Sequence, residues 1–296
     1  VPDVVAVVGP TAAGKSEAAL RIAEALNGEV VNADSMQLYR GMDVGTAKLT
    51  QPERRGVAHH LLDVWDVTET ASVAAYQTLA RDAIEGVRQK GRTAVLVGGS
   101  GLYVRAALDA LEFPGTDAAV RERLEAEAAT HGPEALHQRL TALDPVAAQR
   151  IGPANVRRTV RALEVIALTG RPFSAGPGME AYAASVYDTA YYGLAPDIDV
   201  LDERIEARVD VMWERGLVAE VEHLAANGLR DGVTARRALG YQQVLAFLDG
   251  TTTEDAARAH TKQATRRFAR RQLSWFRRDP RIAWFPRTEQ IVTAAT

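Results

Sequence analysis

Apolar residues come in short unbroken runs near the start of the chain. Val4–Val8 is the first, Glu29–Asn32 carries a second around Val30 and Val31, and Thr93–Val97 is a third. Runs of four or five such residues suit strands buried on both faces. Between and after them the period lengthens toward that of a helix. Lys15–Leu26, Val73–Gln89 and Gly101–Leu108 each read as helices. Buried strands alternating with helices predict an α/β fold, a parallel sheet with helices on both faces.

The texture changes at Phe113-Pro114-Gly115. Helical patterns follow at Val120–Ala129 and Glu134–Leu143, parted by His131-Gly132-Pro133. Asn155 is a cap for a third helix with the stripe Val156, Val160, Leu163 and Ala167, closed by Gly170-Arg171-Pro172. Ser174–Ser185 reads as a loop or linker, and Tyr187–Leu194 as a strand returning to the sheet. The rest is helical to about Arg278. The expected division is a core of residues 1–112 and 189–296 with a small all-helical insertion at 113–188.

Composition changes this picture little. At 296 residues with 47% apolar and 25% charged positions, the chain has the make-up of a globular protein with a proper core. No apolar run is long enough to cross a membrane, and Val4–Val8 is too short and lacks the basic flank of a signal peptide. There are no cysteines, which excludes disulfides and thiolate zinc sites and fits a cytoplasmic location. The net charge of -3 does not suggest a nucleic-acid partner, but its distribution does. Nine basic residues lie between Thr261 and Arg287, opposed within that stretch by Asp279 alone, and Arg157, Arg158 and Arg161 form a second cluster. Such clusters read as phosphate-binding patches or as solvated helix faces.

The residues Gly9, Pro10, Thr11, Ala12, Ala13, Gly14, Lys15 and Ser16 match the P-loop pattern G-x-x-x-x-G-K-[ST] between a predicted strand and a predicted helix. Glycines let successive backbone N–H groups face one phosphate, and the helix N-terminus adds positive potential. Lys15 supplies a point charge, and Ser16 is placed to hold Mg²⁺. P-loop enzymes commonly carry an acid after a further strand to hold the metal. The strand Thr93–Val97 runs instead into Gly98-Gly99-Ser100. The acid lies elsewhere. Asp34 follows the second strand, at the edge where parallel sheets carry their chemistry. Its open readings are metal ligand, helix cap and general base.

Several blocks then fall in one order: Gly9–Ser16, Asn32–Tyr39, Gly41–Lys48, His59–Asp63, Val97–Tyr103, Arg161–Val165, Arg237–Tyr241 and Arg270–Arg277. Together they resemble bacterial tRNA dimethylallyltransferases over residues 4 to 278. The resemblance implies a P-loop core with a helical insertion, and a soluble monomer. It implies transfer of the dimethylallyl group from dimethylallyl pyrophosphate to N6 of the adenosine 3′ of the anticodon, in tRNAs reading codons that begin with U, with Mg²⁺. By the same resemblance Asp34 is the base, Thr11 lies at the pyrophosphate and Arg237 supports catalysis. Contacts to the tRNA anticodon stem-loop fall on Asp34, Ser35, Met36 and Gln37. They fall also on Ser100 (where the family commonly has Thr), Arg121, Arg157, Arg158 and Arg161. Further along they fall on Arg237, Gly240, Tyr241 and Gln242, then on Arg270, Arg271, Gln272, Trp275 and Arg277.

The chemistry needs such groups. The exocyclic amine of adenine is a poor nucleophile and must lose a proton as its new bond forms. Negative charge grows on the departing pyrophosphate, where the loop's N–H groups and Lys15 stabilise it. The adenine must also leave its stack to reach a buried base. Thr11 either donates to the bridging oxygen or only packs. Trp275 and Phe276 read as core residues or as stacking platforms. His59-His60 would alternate faces in a strand and so share no metal. Rival readings are an adenylate isopentenyltransferase acting on free AMP or ATP, a small-molecule P-loop kinase and an RNA-binding module.

Overall fold

A computed structural model of the chain describes residues 2–175, 182 and 185–296. The chain splits into two compact units, one of residues 1–109 with 184–296 and one of residues 110–183.

The larger unit is built on a parallel sheet of β1 (Val4–Val8), β2 (Glu29–Asn32), β3 (His59–His60), β4 (Ala94–Gly98), β5 (Thr189–Leu194) and β6 (Ala283–Phe285). The strand order is β3-β2-β4-β1-β5-β6. Every residue of β1 is buried, because the sheet is covered on both faces. The covering helices are α1 (Lys15–Ala25), α2 (Val73–Gln89) and α3 (Gly101–Leu108) in the first half. Four more helices, α4 (Ala118–His131), α5 (Pro133–Leu143), α6 (Pro145–Ile151) and α7 (Val156–Thr169), make up the smaller unit. The larger unit resumes with α8 (Ile198–Glu214), α9 (Leu217–Ala226), α10 (Tyr241–Leu248), α11 (Glu254–Phe276) and α12 (Thr288–Ala295). One core joins Val5 and Val7 of β1 to Ala19 and Ile22 of α1, Leu201 and Ile205 of α8, Ala269 of α11 and Ile291 of α12. On β2 and β4 packs α2, whose Tyr76, Ala80 and Ile84 are fully buried.

The strand read at Thr93–Val97 starts and ends one residue later, and the one read from Tyr187 begins at Thr189. Four elements stand outside the sequence reading, the two-residue β3, the short helix α6, the three-residue β6 and the helix α12. The linker expected at Ser174–Ser185 lies largely outside the described residues. Ser174 itself closes on Asp144, donating through both N (2.7 Å) and Oγ (2.7 Å).

The N-terminal edge of the sheet is tied by Glu29, 2% exposed. Its carboxylate accepts from His60 Nε2 (2.7 Å), Lys90 Nζ (2.9 Å) and Arg92 Nη1 (2.8 Å). Burial works against its charge, but Lys90, His60 and Arg92 outweigh burial and hold the carboxyl at about 2. His59 turns to Val57 O instead (2.9 Å), so the two histidines have separate partners.

The charges of α11 also find partners. Asp202, Glu206 and Asp210 of α8 face it. Arg270 pairs with Asp202 (2.7 Å), Lys262 with Asp210 (2.6 Å) and Arg266 with Glu206. The basic stretch is therefore opposed by three acids from another helix besides its own Asp279. Arg267, Arg271, Arg277 and Arg278 stay exposed. In the smaller unit the fully buried Glu164 accepts from Arg121 (2.8 Å), from Arg161 (2.7 Å) and from Asp117 N (3.0 Å). Arg161 also donates to Pro114 O and Gly115 O. Arg121 holds α4 to α7 and Arg161 holds the segment before α4 at Pro114 and Gly115, while Arg157 and Arg158 point out to solvent.

Candidate active site

The chain leaves β1 into the phosphate loop at the C-terminal edge of the sheet. Gly9 has φ +141°, and a Cβ there would overlap the carbonyl of Leu194 at the end of β5. Gly14 has φ +101°. Ala12 also takes a left-handed φ, 62°, a conformation that costs a non-glycine residue and is tolerated where a site demands it. Gln272 of α11 steadies the loop. Its Oε1 accepts from Thr11 N (2.9 Å), and its Nε2 donates to Gly99 O just beyond β4 (2.8 Å). Lys15 folds over the loop, donating to Pro10 O (2.7 Å).

Two arginines of α8 reach the same loop. Arg204 donates to Ala13 O (3.3 Å), and Arg208 donates to Thr11 Oγ1 (3.3 Å). Burial lowers the Lys15 pKa to about 8, with the positive charge of Arg208 adding to the fall and Asp34 opposing it. Burial likewise pulls Arg208 down, and Asp34 pulls it back. Lys15, Arg208 and Asp34 therefore share one electrostatic site.

Asp34 is held by its own turn. Its N–H donates to Asn32 Oδ1 (2.9 Å), and its Oδ1 accepts from Met36 N (2.9 Å). Asn32 in turn donates to Asp34 O and Leu61 O, each at 3.0 Å. A Cβ at Gly98 would overlap the carbonyl of Ala33, so the glycine lets the ends of β2 and β4 close up. Ser100 Oγ accepts from Ser35 N (3.3 Å) and lies 3.3 Å from Ser35 Oγ. Tyr76 and Tyr103, with ring centroids 4.5 Å apart, lie beneath. Burial raises both phenols, and Asp34 adds to the rise. An open cleft of about 890 Å³ starts at Lys15 and Ser16. One wall carries Asp43, Val44 and Ala47, and the other Arg208, Val211 and Met212.

The structure thus brings Thr11, Lys15, Ser16, Asp34, Ser35 and Ser100 to one edge of the sheet. Arg208 was hidden in the sequence among the alternating charges of α8. Other candidates are placed differently. Arg237 is exposed on a single 3₁₀ turn, Ala235–Arg237. Among the described residues it makes no hydrogen bond or ion pair with Thr11, Lys15 or Asp34, and the cation beside them is Arg208. Tyr241 is fully buried, so its ring cannot meet a nucleic acid. Gln272 is buried and spent on the phosphate loop. Met36 is half-buried against the core cluster that holds Tyr39, Met42 and Tyr241, and Gln37 donates to Thr46 O (3.0 Å). Trp275 is half-buried, edge-on to buried Phe276 at 5.3 Å. Arg271, Arg277 and Gln242 are exposed, and Gly240 caps α10 at φ 88°.

Comparison with known proteins decides what edge this is. Residues 37–279 match the IPP transferase family. The chain belongs to the IPP transferase family. The tRNA dimethylallyltransferase of Streptomyces griseus is 63% identical over 96% of this chain and 90% of its own length. That of Acidothermus cellulolyticus is 62% identical over 99% and 91%. Among solved structures, a tRNA isopentenylpyrophosphate transferase from Bacillus halodurans is 42% identical and covers 99% of this chain and 94% of that one, with a TM-score of 0.72. A eukaryotic dimethylallyltransferase acting on tRNA is 27% identical over 92% of this chain and 69% of its own, with a TM-score of 0.81. The family match begins beyond the phosphate loop and Asp34, so the geometry of those two features stands as independent support. At the same edge β4 ends in Gly98, followed by Gly99 and Ser100, with no carboxylate.

Proposed function

We propose that the chain transfers the dimethylallyl group of dimethylallyl pyrophosphate to N6 of adenosine 37 in tRNAs reading codons that begin with U. The observation that carries this reading is the placement of Asp34, held in the turn after β2, within charge range of Lys15 and Arg208 on a phosphate loop whose β4 neighbour offers no carboxylate. In the reaction the bond from the allylic carbon to the pyrophosphate oxygen breaks, and the bond from that carbon to N6 forms. The N6 proton passes to Asp34, and the electron pair leaves with pyrophosphate. Thr11, Lys15, Arg208 and the N–H groups at the start of α1 take up the growing negative charge.

Ser16 is the residue that would hold Mg²⁺. No group of three His, Cys, Asp or Glu side chains among the described residues could cage a metal alone. That donor set fits an ion carried by one or two protein ligands, with water and phosphate oxygens filling the rest. Mg²⁺ bound there would draw charge from the leaving pyrophosphate.

The RNA contacts of this reading rest on cations that the fold leaves exposed. These are Arg157 and Arg158 in the smaller unit, and Arg237, Arg271 and Arg277 in the larger one. Arg121, Arg161 and Arg270 pair with Glu164 or Asp202 and, being partly exposed, offer their remaining N–H donors to RNA. On this reading the enzyme acts in the cytoplasm, as a monomer. No helix among the described residues is long and apolar enough to cross a membrane.

The test is label transfer from radioactive dimethylallyl pyrophosphate, with Mg²⁺, to unmodified tRNA and to AMP in parallel. Label is expected on tRNA alone. Label on AMP alone would move the assignment to a free-nucleotide prenyltransferase. The pH profile adds a second expectation. Lys15 is charged below about 8 and neutral above, so donor kcat/KM should fall as pH rises through that value. An ordinary lysine would keep the plateau to about 10, and a plateau that long would show that Lys15 does not set donor capture.

A further inference from the structure

The cleft-lining residues Asp43 and Val44, with Gly45 after them, lie in the long connection between β2 and β3, outside any helix or strand. Besides its own turn bonds, from Ala47 N to Val44 O and from Lys48 N to Asp43 O, it is held by one carboxylate on a separate helix. Glu220 of α9 accepts from three successive backbone N–H groups. Its Oε2 takes Asp43 N (3.1 Å) and Val44 N (2.7 Å), and its Oε1 takes Gly45 N (3.1 Å). The hydroxyl of Tyr241, at the start of α10, donates to the same Oε1 at 2.5 Å. Four donors converge on one anion, each bond assisted by its charge. The fit is close. A Cβ at Gly45 would come within 2.5 Å of the Tyr241 ring.

The far end of the loop is fastened by a different device. Lys48 is buried and donates to Asp43 Oδ1 (2.6 Å), Asp63 Oδ1 (2.6 Å) and Tyr39 O (2.9 Å). Asp43 is thus gripped twice, at its backbone by Glu220 and at its carboxylate by Lys48. This matters because Asp43 lines the cleft that begins at Lys15 and Ser16. A carboxylate loose in that cleft would repel a pyrophosphate. Held against Lys48, which also serves Asp63, its charge is fixed in place and partly screened.

We infer that Glu220, braced by Tyr241, is a positioning residue that sets the donor-side wall of the cleft. It touches no reacting atom and acts through the backbone of Asp43–Gly45. This rests on the transfer reading for the identity of the donor, but not for the existence of the wall. It also gives the buried tyrosine of the Arg237–Tyr241 block a task on the donor side, while exposed Arg237 and Gln242 flank it on the surface.

The test uses the full-length enzyme with Glu220→Gln and Tyr241→Phe. Glutamine keeps the shape, removes the charge and turns an NH₂ group toward donors. Phenylalanine removes one of the four bonds and leaves the ring. For Glu220→Gln the KM for dimethylallyl pyrophosphate should rise about tenfold, with a smaller rise of about threefold for Tyr241→Phe. The KM for tRNA and kcat should stay within about twofold of wild type. Calorimetric titration with inorganic pyrophosphate alone should show the same ranking of affinities. Weakened pyrophosphate binding in an enzyme whose wild type prenylates neither tRNA nor AMP would sink the transfer reading and uphold the wall. Unchanged donor KM and pyrophosphate affinity in both folded variants, with wild-type transfer intact, would overturn the inference alone. Equal losses toward donor and tRNA in both variants, tracking a fall in melting temperature, would also overturn it, because that is the mark of a purely structural tie.

Discussion

An Asp34→Asn variant should bind donor and tRNA normally yet transfer the prenyl group about a thousandfold more slowly, within the range that general bases contribute. The substitution is close to isosteric. The amide oxygen can still accept from Met36 N, as Asp34 Oδ1 does at 2.9 Å, and the backbone bond from residue 34 to Asn32 Oδ1 is untouched. The turn that carries the side chain therefore survives, and what is lost is the ability to take a proton. Single-turnover rates with saturating tRNA and donor measure the chemical step. Gel-shift affinity for tRNA should match wild type within about threefold, since a group that only receives the proton contributes little to ground-state binding. A rate within tenfold of wild type would mean that the proton leaves N6 by another route.

The phosphate loop and Asp34 were legible because each is a local feature, a strand end followed by a turn, and the order of the strands was not needed to find them. The insertion was legible for a similar reason. Phe113-Pro114-Gly115 breaks the pattern, and α4, α5 and α7 carry their own caps at Asp117, Gly132 and Asn155. Short strands were not. Two residues of β3 and three of β6 contain no period to read, and each exists because a neighbouring strand offers it a ladder. Charge was the least legible property of all. The cations of α11 looked unopposed because their partners lie 52 to 68 positions earlier, on α8. Arg121 and Arg161 looked like RNA contacts, and they close on a glutamate that the chain buries completely. Tyr241 sat in a block that resembled an RNA-facing segment, and only the packing of α9 on α10 shows its hydroxyl turned inward. In each case the residue was found from the sequence, and its direction was decided by an element remote in the chain.

Arg208 is the extreme example, and its removal should have an effect comparable in size to that of Asp34. On α8 it stands in the series Asp202, Glu203, Arg204, Glu206, Arg208, Asp210, which reads as a solvated mixed-charge face. The burial of Leu201 and Ile205 in the core with β1 rolls that face so that Arg204 and Arg208 meet the phosphate loop. Arg208→Ala should lower kcat by about a hundredfold or more, the usual loss on deleting one fixed donor to a developing anion. Arg208→Lys should recover only part of it. A lysine restores the charge but not the planar fork that reaches Thr11 Oγ1 while leaving donors for a second anion. A second readout separates this role from mere support. Arg208 is one of the causes that push Lys15 down to about 8. With the guanidinium gone, Lys15 loses a repulsive neighbour and keeps Asp34, so its pKa rises and the alkaline fall in donor kcat/KM shifts to higher pH. In Arg208→Lys the fall should stay near the wild-type position. An Arg208→Ala enzyme with wild-type kcat, or with an alkaline limb that does not move, would take Arg208 out of the charge cluster at the phosphate loop and leave Lys15 and the loop's N–H groups to stabilise the leaving pyrophosphate alone.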